Sequence, residues 1–142
     1  MAINTQKVIV GGVAAGVVVG VVDYVVNGVL LAEQNDVALS ALNPDLVADL
    51  AGGAFIAGIV VVGLLMGIVV AWTYALLRPR YGPGPKTAVF AALQLWCVIT
   101  LMFGAMTLAG LFTWSYFALG SVITAAELLL GTSVAGYLYA EE

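Results

Sequence analysis

The sequence predicts an all-α protein, a four-helix transmembrane bundle with up-down topology and both termini in the cytoplasm. Two observations predict the bundle: four apolar stretches are each long enough to cross a bilayer, and charged residues make up only 8% of the chain. The placement of the basic residues predicts the orientation. About a quarter of an average globular sequence is charged, so this chain has too few charges to cover a surface exposed to water. The lipid bilayer is therefore its expected solvent.

The four spans follow from length and hydropathy. A bilayer core about 30 Å thick requires about 20 helical residues at 1.5 Å rise each. The stretches that meet this length cover residues 8–31, 52–77, 87–108 and 116–139. A helix satisfies its own backbone hydrogen bonds inside lipid, so the valine runs in the first two stretches do not argue for strands. The 142 residues are expected to form a single transmembrane domain.

The connections between the spans differ in charge. The connection over residues 78–86 is basic, and its three cations are Arg78, Arg80 and Lys86. Lys7 precedes the first span, whereas the connection over residues 32–51 is acidic. The positive-inside rule places the basic connection in the cytoplasm, and four spans place both termini there with it. The same three cations suit anionic lipid headgroups, although the orientation rule alone accounts for their presence.

The acidic connection over residues 32–51 has a helical pattern of its own. Its leucines recur at near-helical spacing, opposite two aspartates: Leu39, Leu42, Leu46 and Leu50 against Asp45 and Asp49. Asp36 is suited to cap a short helix over residues 37–42. We expect an amphipathic segment that lies on the outer interface or over the mouth of the bundle. A solvated loop is the alternative.

Two segments of the chain resemble a known group of proteins. The run RPRYGPGPKTA at residues 78–88 lies between two spans, and VVDYVVNGVLL at residues 21–31 lies in the first. Together they resemble a group of small bacterial four-span membrane proteins. The resemblance covers most of the chain and implies the same fold and a place in the bacterial inner membrane. It implies no activity and no site residue.

Polar residues inside the spans are the candidate functional residues, because each costs free energy to bury in lipid. They are Asp23 and Asn27 in the first span, Gln94 in the third and Glu127 in the fourth. Counted from the outer ends of their spans, Asp23 and Glu127 differ in depth by about one helical turn. Gln94 is placed nearer the cytoplasmic side, where it would extend a polar track from the other three residues.

Small residues at helical spacing mark the expected packing faces. At 100° per residue, Asp23 and Asn27 share a stripe with three glycines, and Glu127 shares one with two more. A further pair lies in the second span. The predicted packing glycines are Gly12, Gly16, Gly20, Gly63, Gly67, Gly120 and Gly131. Glycines at this spacing let membrane helices approach closely, so both carboxyl groups are expected on packing faces.

The set of intramembrane polar residues has three interpretations. Asp23, Asn27, Gln94 and Glu127 either form a proton or cation site, or join the helices by hydrogen bonds, or contact a partner subunit. Two acids without a basic partner give only weak support for a proton relay, and the sequence leaves all three interpretations open.

The composition favours a non-catalytic protein. The chain has no histidine and a single cysteine, Cys97, and no nucleophile is accompanied by a base. No metal ligand set is expected, and four cations are too few to favour nucleic acid. An accessory or structural subunit of a larger membrane complex is the leading prediction, with other subunits, further copies of the chain or lipid as partners. The alternatives are a proton- or cation-coupled carrier using Asp23 and Glu127, and a binder of lipid, quinone or pigment.

Overall fold

The computed structural model of the chain describes residues 3–139. These residues form six α-helices and one π-helical turn: α1 (Thr5–Val25), the π-turn (Val26–Leu30), α2 (Ala32–Leu42), α3 (Leu46–Leu50), α4 (Gly53–Tyr81), α5 (Pro85–Leu108) and α6 (Trp114–Leu138). Four of the helical segments are long and apolar enough to cross a membrane: α1 with its π-turn, α4, α5 and α6. The predicted four-helix bundle is confirmed.

The four spans run alternately up and down. Helix α1 packs against α4 and α6, while α4 and α6 contact each other and also α5. One end of the bundle, here called the basic end, carries Lys7, Arg78, Arg80 and Lys86. The other, the acidic end, carries Glu33, Asp36, Asp45 and Asp49. The Asn4 N–H donates to the Tyr139 hydroxyl at 3.2 Å, so both ends of the described chain meet at the basic end. Its cytoplasmic placement stays a prediction.

The basic connection is shorter than the sequence predicts. Helix α4 continues through Pro79 to Tyr81, and α5 begins with Pro85 at its first turn, which leaves only residues 82–84 between them. Pro79 removes one backbone hydrogen bond, but it lies in the last turn, where the helix is about to end. Gly82 and Gly84 then adopt φ angles of +83° and +119°, which side chains other than glycine rarely allow. These two glycines turn the chain back.

The buried core lies in the half of the bundle nearer the basic end. It is built from small residues around one tyrosine: Val8, Ala15, Val70, Ala71, Tyr74, Ala75, Ala88, Ala91, Ala92, Leu128, Ala135 and Tyr139. At the acidic end, by contrast, every residue of α4 from 53 to 62 is exposed. The bundle is thus closed at the basic end and open along α4 at the acidic end.

Glycines bring α1 and α4 together in the closed half. A Cβ added at Gly12 would lie 2.5 Å from the Cα of Ile68, and one at Gly16 would lie 2.9 Å from the Gly63 carbonyl oxygen. A Cβ at Gly67 would collide with the backbone of Gly12 and Gly16. Helices approach this closely only where side chains are absent. The α1–α4 contact is therefore a contact of backbone against backbone.

The other predicted packing glycines differ in what they touch. A Cβ at Gly120 would lie 2.8 Å from the Phe103 ring, and one at Gly131 would lie 3.1 Å from Val19 Cγ2. No atom of residues 3–139 lies within 4 Å of a Cβ built at Gly20 or Gly63. Gly63 nevertheless packs through its backbone carbonyl against Gly16, whereas the predicted close packing at Gly20 is wrong.

The acidic connection is largely helical, as its pattern predicts. Helix α2 begins at Ala32, so Asp36 lies inside it, and the expected cap at Asp36 is wrong. The Asn43 side chain accepts from the Asp45 N–H at 3.0 Å and turns the chain into α3. Three of the four leucines are half-buried, and both aspartates opposite them are exposed, which agrees with an amphipathic segment.

Candidate functional site

The two intramembrane carboxyl groups lie on facing helices. A Cβ at Gly11 would lie 3.3 Å from the Ala135 carbonyl oxygen, and Gly131 lies against Val19, so α1 and α6 pack antiparallel. Asp23 and Glu127 each lie four residues beyond the second of these contacts, on facing segments of the two helices. Their charges repel each other when both are ionised.

The predicted depth difference of about one helical turn between Asp23 and Glu127 stays a prediction. The contact of Gly11 with Ala135 and that of Gly131 with Val19 imply registers that differ by four residues, which is about one turn. By residue count Glu127 lies farther from the start of α6 than Asp23 lies from the end of the π-turn.

Asp23 and Asn27 form a direct pair at the start of the π-turn. The Asn27 side-chain amide donates to Asp23 Oδ1 at 2.8 Å, and both residues are half-buried. They lie four residues apart, so they occupy the same face of the helix. A single amide donor supports only one of the two Asp23 oxygens.

Glu127 has a different environment. It is half-buried, and its Oε1 atom is enclosed without a hydrogen-bond partner anywhere in residues 3–139. A buried polar atom without a partner costs free energy, and native structures rarely keep one without a reason. The nearest counter-charge on α1, Lys7, lies 16 residues from Asp23, or about 24 Å along the helix. The arrangement can accept a proton, a cation or a hydrogen-bond donor from outside the chain.

Gln94 does not join this group. It is exposed on α5, so its predicted place in a buried polar track is wrong. The buried stripe of α5 runs through Ala88, Ala91 and Ala92. At 100° per residue, Gln94 lies about 120° from the centre of that stripe. The side of α5 that carries Gln94 faces away from the core.

Two residues that the sequence analysis did not select extend the polar group toward the acidic end. The Asn35 side chain donates to the Asn27 carbonyl oxygen, and the Tyr116 hydroxyl donates to Asn35 Oδ1. Asn35 belongs to a segment read as an interfacial helix, and Tyr116 has the position of an ordinary interfacial aromatic. Only the clustering of asparagines at positions 27 and 35 hinted at a local polar network.

The three cations of the basic end differ in accessibility. Arg78 is half-buried, with its guanidinium 5.3 Å from the centre of the Tyr139 ring. Arg80 and Lys86 are exposed, and the Arg80 guanidinium lies 5.8 Å from the centre of the Tyr81 ring. Binding of a lipid headgroup by Arg78, Arg80 and Lys86 stays a prediction, with Arg80 and Lys86 the more open of the three.

A groove lies at the acidic end between α2 and the start of α6. It has a volume of about 640 Å³. Val37, Ala41 and Leu42 line one wall, and Leu111, Phe112 and Leu119 line the other. Among the described residues, this mostly apolar groove is the place that would fit a lipid tail, a quinone or a pigment. Binding of any of them stays a prediction.

The fold and the site together define a small multi-pass membrane protein with a carboxyl pair between its first and last spans. Comparison with protein-family models, with curated proteins and with solved structures finds no match to this chain. The resemblance to small bacterial four-span proteins therefore stays an expectation from the sequence.

Proposed function

We propose that this chain is a non-catalytic accessory subunit of a larger complex in the bacterial inner membrane. The observation that carries the proposal is the acidic-end half of α4, where ten successive residues are exposed on every side of the helix. Phe55, Ile56 and Ile59 are each at least two-fifths exposed there. In a bundle that acted alone, one stripe of this helix would be expected to pack against its neighbours.

The composition of this half of α4 favours a protein partner over lipid alone. Small residues lie on one face of it, at positions 53, 54, 57 and 58. Association of membrane helices depends on close van der Waals packing, which small residues permit. A Cβ at Gly20 or at Gly58 meets no atom of residues 3–139, which leaves space for a partner helix beside this part of α1 and α4. A donor on that helix would also satisfy the carboxyl groups.

Native purification tests this proposal. Gentle extraction followed by native mass spectrometry is expected to recover the chain with other membrane subunits. Gly58→Leu is expected to detach it from them, because a Cβ at Gly58 meets no atom of residues 3–139 and the added side chain would project toward the partner. Ala105→Leu, which adds the same side chain at an exposed site on α5, is the matched control and should remain bound. Recovery of the unmodified chain alone would contradict the proposal.

A proton- or cation-coupled carrier is the second candidate, and the facing carboxyl groups favour it. Two neighbouring carboxylates in a low-dielectric region are costly unless a proton or a cation neutralises the pair. Intramembrane acids mark proton and ion pathways in many transporters.

Flux measurements test the carrier. In proteoliposomes, Glu127→Gln and Asp23→Asn are each expected to lower proton or cation flux at least tenfold, because each removes a charge that the ion must meet. Glu33→Gln, which neutralises an exposed acid at the same end, is the control and should leave the flux unchanged. No flux through the unmodified protein, or full flux through both variants, would exclude the carrier.

A further inference from the structure

A chain of three hydrogen bonds joins α6, α2 and the π-turn at the acidic end. Tyr116 donates to Asn35 Oδ1 at 2.9 Å, and Asn35 Nδ2 donates to the Asn27 carbonyl oxygen at 2.8 Å. Asn27 Nδ2 then donates to Asp23 Oδ1 at 2.8 Å. Each donor points toward Asp23, so the network leads from the surface of the bundle to one of its two intramembrane acids.

The π-turn makes the middle bond available. In an α-helix the Leu31 N–H would donate to the Asn27 carbonyl oxygen. In the wider turn it donates to the Val26 carbonyl at 2.9 Å instead. The Asn27 carbonyl then accepts the side chain of Asn35. Single π-helical turns within α-helices are frequent at functional sites.

The two ends of this network differ in how firmly they are held. Tyr116 is stacked on Phe112, with ring centres 5.5 Å apart, and lies edge-on to Phe103. Helix α2 has no buried residue, its Val37 is 68% exposed, and the 640 Å³ groove separates much of it from α6. Asn35 therefore provides the principal polar contact between α2, which is loosely packed, and α6, which is firmly packed.

We propose that α2 is a strap that closes the acidic-end approach to Asp23 and Glu127, with Asn35 as its positioning residue. The inference rests on the proton- or cation-binding role of the carboxyl pair. When the bond from Tyr116 to Asn35 is made, α2 is held against the mouth of the α1–α6 interface. When the bond breaks, α2 pivots at Leu31 and at the Asn43 turn, and water reaches the carboxyl pair.

The closing experiment measures the access of water to the acids directly. The full-length protein in nanodiscs is treated with a water-soluble carbodiimide and an amine, and amide formation at Asp23 and Glu127 is followed by mass spectrometry. Tyr116→Phe removes only the hydroxyl and is expected to raise both labelling rates roughly 2- to 10-fold, the range set by one hydrogen bond. Asn35→Leu, which removes both bonds of the strap, should raise them at least as much.

Controls separate this effect from a general loosening of the fold. Tyr137→Phe makes the same change at a residue that is 90% exposed and should leave both rates unchanged. The exposed acids Glu33 and Asp45 should be labelled equally in every variant. The strap would be overturned if each of Asp23 and Glu127 were labelled at the same rate in the unmodified protein, in Tyr116→Phe and in Asn35→Leu. Labelling does not depend on ion flux, so the carrier and the strap can fail separately. If Asp23→Asn loses flux while the strap variants leave the labelling rates unchanged, the carrier is supported and the strap is not.

Discussion

Replacing Gly67 with leucine is expected to separate α1 from α4 and to lower the free energy of unfolding by about 3 kcal/mol. The physical reason is that the added atoms would meet backbone: a Cβ at this position would lie 2.6 Å from the Gly16 nitrogen and also against the Gly12 carbonyl. A side chain can rotate away from such a contact, whereas two packed helical backbones cannot. Relief requires the two helices to move apart, which removes the close contact along the whole glycine stripe.

The measurement is reversible denaturation of the purified chain in detergent, followed by tryptophan fluorescence. Gly58→Leu places the same side chain on the same helix, where no atom of residues 3–139 lies within 4 Å of the Cβ, and it should change the stability by no more than about 0.5 kcal/mol. Gly20→Ala should be equally mild, although Gly20 shares the sequence stripe of Gly16. Equal stability of Gly67→Leu and Gly58→Leu would contradict the proposed backbone contact.

The second large effect is expected at Gly136, a position that the sequence did not mark as a packing glycine. A Cβ there would lie 2.6 Å from the Tyr74 ring. Tyr74 is 1% exposed, and its hydroxyl accepts from the Gly84 N–H at 3.0 Å, so the ring has no room to yield. Gly136→Ala should therefore lower the free energy of unfolding by about 2 kcal/mol and weaken the turn between α4 and α5.

Two comparisons identify the cause of that loss. Gly104→Ala is the matched control, because a Cβ there would meet the Phe117 ring at an ordinary 3.6 Å, and it should be tolerated. In a double-mutant cycle, Tyr74→Leu is expected to absorb most of the cost of Gly136→Ala, because the smaller side chain removes the collision. Strict additivity of the two substitutions in thermal or chemical unfolding would exclude the steric explanation.

The sequence predicts the four spans and the two helix faces that carry the acids well, because both follow from apolar length and helical period. Apolar length determines which segments cross the bilayer. The 100° period places Asp23 and Glu127 on stripes of small residues, and the structure puts these two residues on facing helices. Gln94 lies off the small-residue stripe of Ala88, Ala91 and Ala92, and that stripe indicates which side of α5 turns inward.

The errors arise from geometry between elements. Gly16 and Gly20 look alike in sequence, but only Gly16 lies against α4, and the angle at which two helices cross does not follow from periodicity. The bond from Tyr116 to Asn35 joins residues 81 positions apart, through a turn whose path depends on the whole bundle. Local pattern carries no information about such distant pairs.

The unequal packing of the two halves has a consequence for how the chain opens. Local unfolding free energies follow contact density, so the core around Tyr74 should resist opening longest, and the acidic-end half of α4 should open first. The basic end then behaves as a nucleus that stays assembled while the other half samples separated states. A partner helix that inserts beside α4 would bind a segment that is already partly released, so it would displace few contacts on arrival. In this bundle, the region that opens most easily is also the region where a partner helix would bind.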